Sequence, residues 1–80
     1  MSVTGKIRAL MNLTNKDHAA VAAALGISKQ ALSNKFTRDS FSAEDLIVIS
    51  EALGCSLMFV ADDVKIALTM EDVRAKTPSK

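Results

Sequence analysis

The chain has 80 residues, enough for one small hydrophobic core but too few for a deep active site enclosed by a second domain. Apolar residues make up 49% of the chain and charged residues 24%, with neither tryptophan nor tyrosine, which is typical of a globular domain with an aliphatic core. The chain has a single cysteine, Cys55, so an internal disulfide is excluded. With one cysteine and one histidine, the sequence contains no cluster of these residues that would predict a metal site. We therefore expect no metal, no cofactor and no bound small molecule.

Charge and hydropathy favour a cytoplasmic protein with an anionic partner. The longest apolar run, residues 19–25, is much shorter than the roughly 20 residues that cross a bilayer, so we expect no membrane partner. Residues 1–41 carry six basic and two acidic side chains, a net charge of +4, whereas residues 42–80 carry four and seven, a net charge of −3. This asymmetry favours an anionic partner for the first half, and the alternative is a chance distribution of charge over a solvated surface.

Spacing and capping residues predict two helices in the first 25 residues. The first is expected over 3–13, where apolar residues recur at helical spacing: Ile7, Leu10 and Met11. Asn15 tolerates the left-handed backbone conformation and is expected to follow its end. Asp17 is expected to cap a second helix that runs to Leu25 through small alanines, which let another helix approach closely.

Residues 25–36 read LGISKQALSNKF, and the glycine in this stretch predicts a turn between two helices. A glycine inside a helix costs about 1 kcal/mol relative to alanine, so Gly26 is expected outside one. Ser28 is expected to cap a third helix from Lys29 to about Arg38. Its apolar residues form one narrow stripe, which leaves the others exposed as a polar surface. The expected stripe comprises Ala31, Leu32 and Phe36.

The second half of the chain predicts a fourth helix followed by an apolar extension. Ser42 and Asp45 form a capping-box pattern for a helix that Gly54 ends. The stretches SLMFVA and VKIAL, separated by two aspartates, predict a β-hairpin over 55–69. One helix from Asp62 to Lys76 is the alternative, because Val64 and Leu68 also fit helical spacing. In the hairpin interpretation, a short helix over 70–76 and a flexible tail over 77–80 follow.

A helix, a glycine turn and a second helix form the unit that places its second helix in the DNA major groove. Ala22, where the helices must pack closely, precedes Gly26 by four residues, and apolar Ile27 and Leu32 follow. With this pattern, residues 3–54 resemble the lambda-repressor and Cro type of helix-turn-helix domain, the Xre family, most specifically over 17–38.

The resemblance implies a mainly α, four- to five-helix domain that acts as a homodimeric transcriptional repressor on a palindromic double-stranded DNA operator. Matching motif positions imply base contacts from Lys29, Gln30, Ser33 and Asn34. They imply DNA backbone contacts from His18, Lys35, Thr37 and Arg38. The chain departs from the pattern at Lys16 and Lys35, where family members more often carry an apolar residue.

The side-chain chemistry of the third helix supports the same expectation without the resemblance. The Gln30 amide can pair with adenine N6 and N7, and the Lys29 ammonium can donate to guanine O6 and N7. Cationic side chains such as Arg38 can hold phosphates without reading sequence. An enzyme is disfavoured because the carboxylates of the fourth helix have no histidine, cysteine or metal-ligand partners.

The expected organisation is a helix-turn-helix domain over 1–54 and an extension over 55–76 that dimerises. A two-stranded hairpin is marginal alone, and its exposed edge invites pairing with a second copy. The expected dimerisation residues are Leu57, Phe59, Ile66 and Leu68. The alternative function is a protein-interaction module, such as an adaptor or antitoxin that keeps the helix-turn-helix shape.

Overall fold

The fold consists of four helices, a two-stranded hairpin and a fifth helix. The computed structural model describes residues 2–76, with side chains described as far as Val73, so the predicted tail over 77–80 lies outside the described residues. The elements are α1 (Val3–Thr14), α2 (His18–Leu25), α3 (Lys29–Arg38), α4 (Ala43–Ala52), β1 (Leu57–Ala61), β2 (Val64–Leu68) and α5 (Met70–Lys76). Within these residues, no helix is long and apolar enough to cross a membrane.

Side-chain caps begin each of the first four helices. The predicted caps of α2, α3 and α4 are confirmed, and Ser2 caps α1 in the same way. At α4 the capping box is complete, because Ser42 Oγ accepts from the Asp45 amide at 3.0 Å and the Asp45 carboxylate accepts from the Ser42 amide at 3.1 Å. These bonds satisfy amides that have no partner inside the helix, so the local sequence sets where each helix begins.

The turn between α2 and α3 depends on Gly26. Its φ of 70° lies in the left-handed region, and a Cβ there would meet nothing within 4 Å, so the backbone conformation rather than space requires glycine. The Gly26 amide donates to Ala23 and the Ile27 amide donates to the Ala22 carbonyl at 3.0 Å, closing α2. Only three residues, 26–28, therefore separate α2 from α3.

One apolar cluster fixes α3 against the first, second and fourth helices. Leu32 of α3 and Val21 of α2 are fully buried, Ala22 is also buried, and α2 packs against both α3 and α4. The cluster comprises Ile7, Met11, Val21, Ala22, Leu32, Phe36, Ile49 and Leu53. Burial of Leu32 and Phe36, which are four residues apart, turns the opposite face of α3 to solvent.

A polar link joins the beginning of α1 to the end of α3. Asp39 caps the end of α3 with a φ of 54°, and its carboxylate accepts a 2.7 Å hydrogen bond from the Thr4 amide. The buried Thr4 hydroxyl donates to the Phe36 carbonyl at 3.1 Å. The bond from the Thr4 amide holds the pKa of the Asp39 carboxyl below its usual 3.8.

Because of this link, we expect Asp39→Asn to lower the stability of the protein by an amount that depends on pH. Because the folded-state pKa of Asp39 is lowered, its stabilising contribution is present above the ordinary pKa and is lost as pH falls through the folded value. Asparagine also tolerates the left-handed conformation but carries no charge. Urea midpoints should therefore differ at pH 6 and converge below pH 3.8. A difference that does not vary with pH would show that the charge is not involved.

The apolar extension is a hairpin, which confirms the predicted strands and excludes the single-helix alternative. Asp62 and Asp63 form the two-residue turn, and Asp62 has the positive φ, 53°, that tight hairpin turns require at this place. Leu57 pairs with Leu68 and Phe59 with Ile66. Directly paired residues share a face, so the four predicted dimerisation residues lie together on one face of the hairpin.

Candidate nucleic-acid interface

A polar and cationic stripe covers the exposed face of α3. The apolar side of the helix is buried in the core, and six of the predicted contact residues are exposed on the other side. They are Lys29, Gln30, Ser33, Asn34, Thr37 and Arg38. No acidic residue lies within α3, and its last turn carries Lys35 and Arg38. We call these six exposed side chains the recognition stripe.

Two amides inside the recognition stripe are joined by a hydrogen bond. Gln30 Nε2 donates to Asn34 Oδ1 one turn later, at 3.4 Å. This bond uses one of the two Nε2 hydrogens of Gln30 and leaves the second hydrogen and the Oε1 acceptor available. A free amide hydrogen and a free carbonyl oxygen are the two groups that can pair with N7 and N6 of adenine.

Lys35 lies outside the recognition stripe and has a partner within the protein. Its Nζ lies 2.9 Å from Asp45 Oδ2, in a partly buried ion pair that joins α3 to α4. Burial raises the pKa of the Asp45 carboxyl, but the hydrogen bonds from Lys35 and Ser42 outweigh it and leave this pKa below its usual value. The ion pair accommodates the charge of Lys35 at a position where the sequence comparison with the Xre pattern led us to expect an apolar residue more often.

Arg8 and His18 converge on the ring of Phe36. The Arg8 guanidinium carbon lies 5.1 Å from the ring centroid, and the His18 ring meets Phe36 edge-on at 5.2 Å. Both side chains are exposed, whereas Phe36 is buried. A cation held over a ring face is orientated by the ring quadrupole. The ring therefore holds an arginine of α1 beside the first residue of α2.

Two adjoining clefts of about 300 and 390 Å³ open between the end of α1 and the start of α2. Arg8 and His18 line the larger cleft, and Lys16 lines both. Asp17 also lines both, but its carboxylate accepts from the Ala20 amide at 3.0 Å and is used in capping. Three cationic or ionisable side chains thus surround a helix start, a position that favours anions.

Arg8 is the residue that the sequence interpretation missed. It falls between apolar residues of the first helix, and no spacing within α1 tells which side of that helix faces α2. The only local signal is its separation of four residues from Asn12, which places both side chains on one face. Asn12 indeed lines the same cleft as Arg8.

None of the predicted dimerisation residues belongs to the recognition stripe, because all four lie on the hairpin. Leu57 and Leu68 at the base of the hairpin are half-buried, whereas Phe59 and Ile66 are exposed. Leu57 also lines an apolar groove of about 310 Å³ between α1 and α4, to which α3 contributes no residue. Among residues 2–76, no group of three or more histidine, cysteine, aspartate or glutamate side chains could hold a metal ion.

Comparison with protein families matches residues 5–63 to the bacteriophage CI repressor helix-turn-helix domain. This range includes all of α2, α3 and α4, most of α1, and the hairpin as far as its turn. No curated protein and no solved structure matches the chain. The match covers well over half of the chain and contains every residue of the recognition stripe, so the chain belongs to the bacteriophage CI repressor helix-turn-helix domain family, a family of DNA-binding regulators.

Proposed function

We propose that the chain is a sequence-specific repressor that binds a palindromic operator in double-stranded DNA as a homodimer. The observation that carries the proposal is the recognition stripe: six polar or cationic side chains exposed on a helix whose other face is fixed in the core. A rigid helix that presents such a stripe fits the width of the major groove. Repression would follow from occupation of the operator.

Base reading is assigned to the first two turns of α3. Lys29, Gln30, Ser33 and Asn34 are exposed there, and the bond from Gln30 to Asn34 limits the rotamers that the Gln30 amide explores. An amide that is already orientated loses less conformational entropy when it pairs with adenine. Gln30 is therefore the residue from which we expect the strongest discrimination between bases.

Backbone contacts are assigned to both ends of the helix-turn-helix unit. Thr37 and Arg38 are exposed at the end of α3, and His18 stands at the start of α2 with Arg8 beside it. Contacts from both places to phosphates would fix the angle at which α3 enters the groove. A phosphate contact from Lys35 would compete with its ion pair to Asp45. Lys35 is therefore expected to contribute least among the predicted backbone-contact residues.

The homodimer is proposed to form through the hairpin face that carries Leu57, Phe59, Ile66 and Leu68. Phe59 and Ile66 expose most of their surface on that face although both are large and apolar. A symmetric dimer would place its two α3 helices about 34 Å apart, one turn of DNA, and would require inverted half-sites. The protein-interaction alternative is less favoured, because α3 exposes a polar, cationic face and not the apolar or acidic face that would favour a protein partner.

A selection of bound duplexes from a random DNA library at near-physiological salt tests the proposal. We expect an enriched motif with two inverted half-sites, because a symmetric dimer reads the same bases twice. Retention that is weak, salt-sensitive and without enrichment would leave only non-specific electrostatic binding, and would favour the protein-interaction module.

Substitutions within the recognition stripe should separate base reading from backbone binding. Gln30→Ala is expected to cost about 1–3 kcal/mol at one operator position and to relax the preference there. Arg38→Ala is expected to weaken binding to all sequences similarly and to reduce the salt slope by about one unit. Titrations of the selected operator and of its single-base variants at several salt concentrations give both results. Equal, sequence-independent losses from the two variants would contradict base reading by Gln30.

A further inference from the structure

The α1–α4 groove and the apolar hairpin face form one continuous surface. The groove has a volume of about 310 Å³, and its apolar lining comprises Val3, Ile7, Leu10, Leu46, Ile49 and Leu57. Leu57 belongs to both surfaces, because it is also the first residue of β1 and starts the face that continues with Phe59. The exposed part of this surface is Val3 at the rim of the groove and the hairpin residues that follow Leu57, and exposed apolar side chains grouped in this way indicate an interaction site.

From these two surfaces we infer that the groove receives the hairpin of a second copy of the chain, in a reciprocal exchange. This inference rests on the proposed homodimer and adds the surface that accepts the hairpin. Leu57 lies where the hairpin meets the groove. A two-fold axis that passes close to Leu57 would therefore place the hairpin of each copy over the groove of the other copy. Such an arrangement is self-complementary, as a symmetric dimer requires.

The exposed fractions show which hairpin face carries the contact. Phe59 is 66% exposed, Ile66 59% and Val64 55%, and all three lie on the face that begins at Leu57. The opposite face carries Val60, which is 62% exposed, but Lys65 lies directly across from it. A hairpin with one uniformly apolar face and one mixed face covers the apolar one.

The available area fits a weak dimer. With about 150–200 Å² for a fully exposed large apolar side chain, the fractions of Phe59, Ile66 and Val64 correspond to about 300 Å². The groove exposes less area than the hairpin face, so two reciprocal contacts bury about 800 Å², the size of a weak, transient interface. The groove volume is about ten times that of a water molecule, which accommodates side chains.

Dimerisation and DNA binding can occur together, because the groove and the hairpin share no residue with the recognition stripe. The charged part of the chain around Arg8 and His18 is likewise outside the groove lining. Oligomeric state can therefore be measured without DNA, and the result is independent of whether α3 reads bases. Failure of the groove inference leaves the DNA selection unaffected, and an unenriched selection leaves the dimer measurement unaffected.

A mixing experiment with two defective variants tests the exchange. Phe59→Lys damages the hairpin, and Val3→Glu damages the groove at a 40% exposed position in the first turn of α1, where a carboxylate suits the helix dipole. Each variant alone should dimerise about 30-fold more weakly or worse in sedimentation equilibrium without DNA. A 1:1 mixture should recover dimers, because one intact hairpin meets one intact groove and the two damaged surfaces carry opposite charges.

Matched controls make the outcome decisive. Val60→Lys changes the other hairpin face at a nearly equal exposure and should leave dimerisation unchanged. Leu10→Glu is a second groove variant, and far-UV circular dichroism must show that every variant is folded. Three results would overturn the inference: a natural chain that stays monomeric at high micromolar concentration, groove variants that dimerise normally, or folded variants whose mixture stays monomeric. Normal dimerisation of the groove variants would instead assign the contact to the two hairpins.

Discussion

Leu32→Ala is expected to lower the free energy of unfolding by about 3 kcal/mol, because Leu32 is the side chain of α3 with no exposed surface. Leu32 is fully buried and belongs to the core cluster that α1, α2, α3 and α4 form together. Truncation removes apolar contacts and leaves a cavity that surrounding helices cannot fill completely. Small domains have little stability in reserve, so the change approaches the whole of it.

Chemical unfolding followed by far-UV circular dichroism measures the loss, at a fixed protomer concentration because dimerisation would add to apparent stability. For a domain of this size, about 3 kcal/mol corresponds to a fall of roughly 12–24 °C in Tm. Ser33→Ala, at the exposed neighbouring position, is the matched control and should stay within about 0.5 kcal/mol. A loss below about 1 kcal/mol for Leu32→Ala would show that the core collapses around the cavity.

The same variant separates folding from recognition. Leu32 has no exposed atoms with which to touch DNA, so Leu32→Ala should reduce binding only through the fraction of unfolded chains. Its preference among operator variants should stay that of the natural chain, in contrast to Gln30→Ala. A changed preference with a folded chain would indicate that core packing alters the angle of α3.

The helix boundaries could be predicted because their determinants lie within a few residues. The Ser28 and Ser42 hydroxyls each accept a hydrogen bond from the backbone amide three residues later. The turn needs a positive φ at position 26, and the residue at that position is glycine. The exposure of the recognition stripe follows from helical periodicity once Leu32 and Phe36 are placed in the core. These features need no information about distant parts of the chain.

The contacts that the sequence did not predict join positions far apart. Arg8 reaches Phe36 across 28 positions and Thr4 reaches Asp39 across 35, and no local spacing identifies such pairs. The sequence alone was compatible with a hairpin and with a single helix over the extension, because Val64 and Leu68 fit both the two-residue period of a strand and the spacing of a helix. The structure distinguishes them through pairing of Leu57 with Leu68 and through contact between β1 and α4, which are tertiary features.

Phe59→Gln is expected to weaken binding to a two-half-site operator by about 10²- to 10⁴-fold while leaving single half-site binding unchanged. In a dimer, binding of one α3 places the other at high effective concentration near its half-site, and loss of the interface removes that gain. Glutamine adds no charge, so the electrostatic attraction to DNA is preserved. Phe59 is remote from the recognition stripe along the chain and exposes 66% of its surface, so the substitution should leave the fold intact.

Titrations with duplexes that carry one or two half-sites measure the effect, and Val60→Gln on the other hairpin face is the control. The losses of affinity for the two duplexes distinguish the mechanisms. Damage to α3 would weaken binding to both duplexes equally, whereas loss of dimerisation weakens binding only to the duplex with two half-sites. Inserting five base pairs between the half-sites should weaken the natural chain, since it rotates one half-site to the opposite side of the helix. The same insertion should have no effect on Phe59→Gln, whose two copies bind independently.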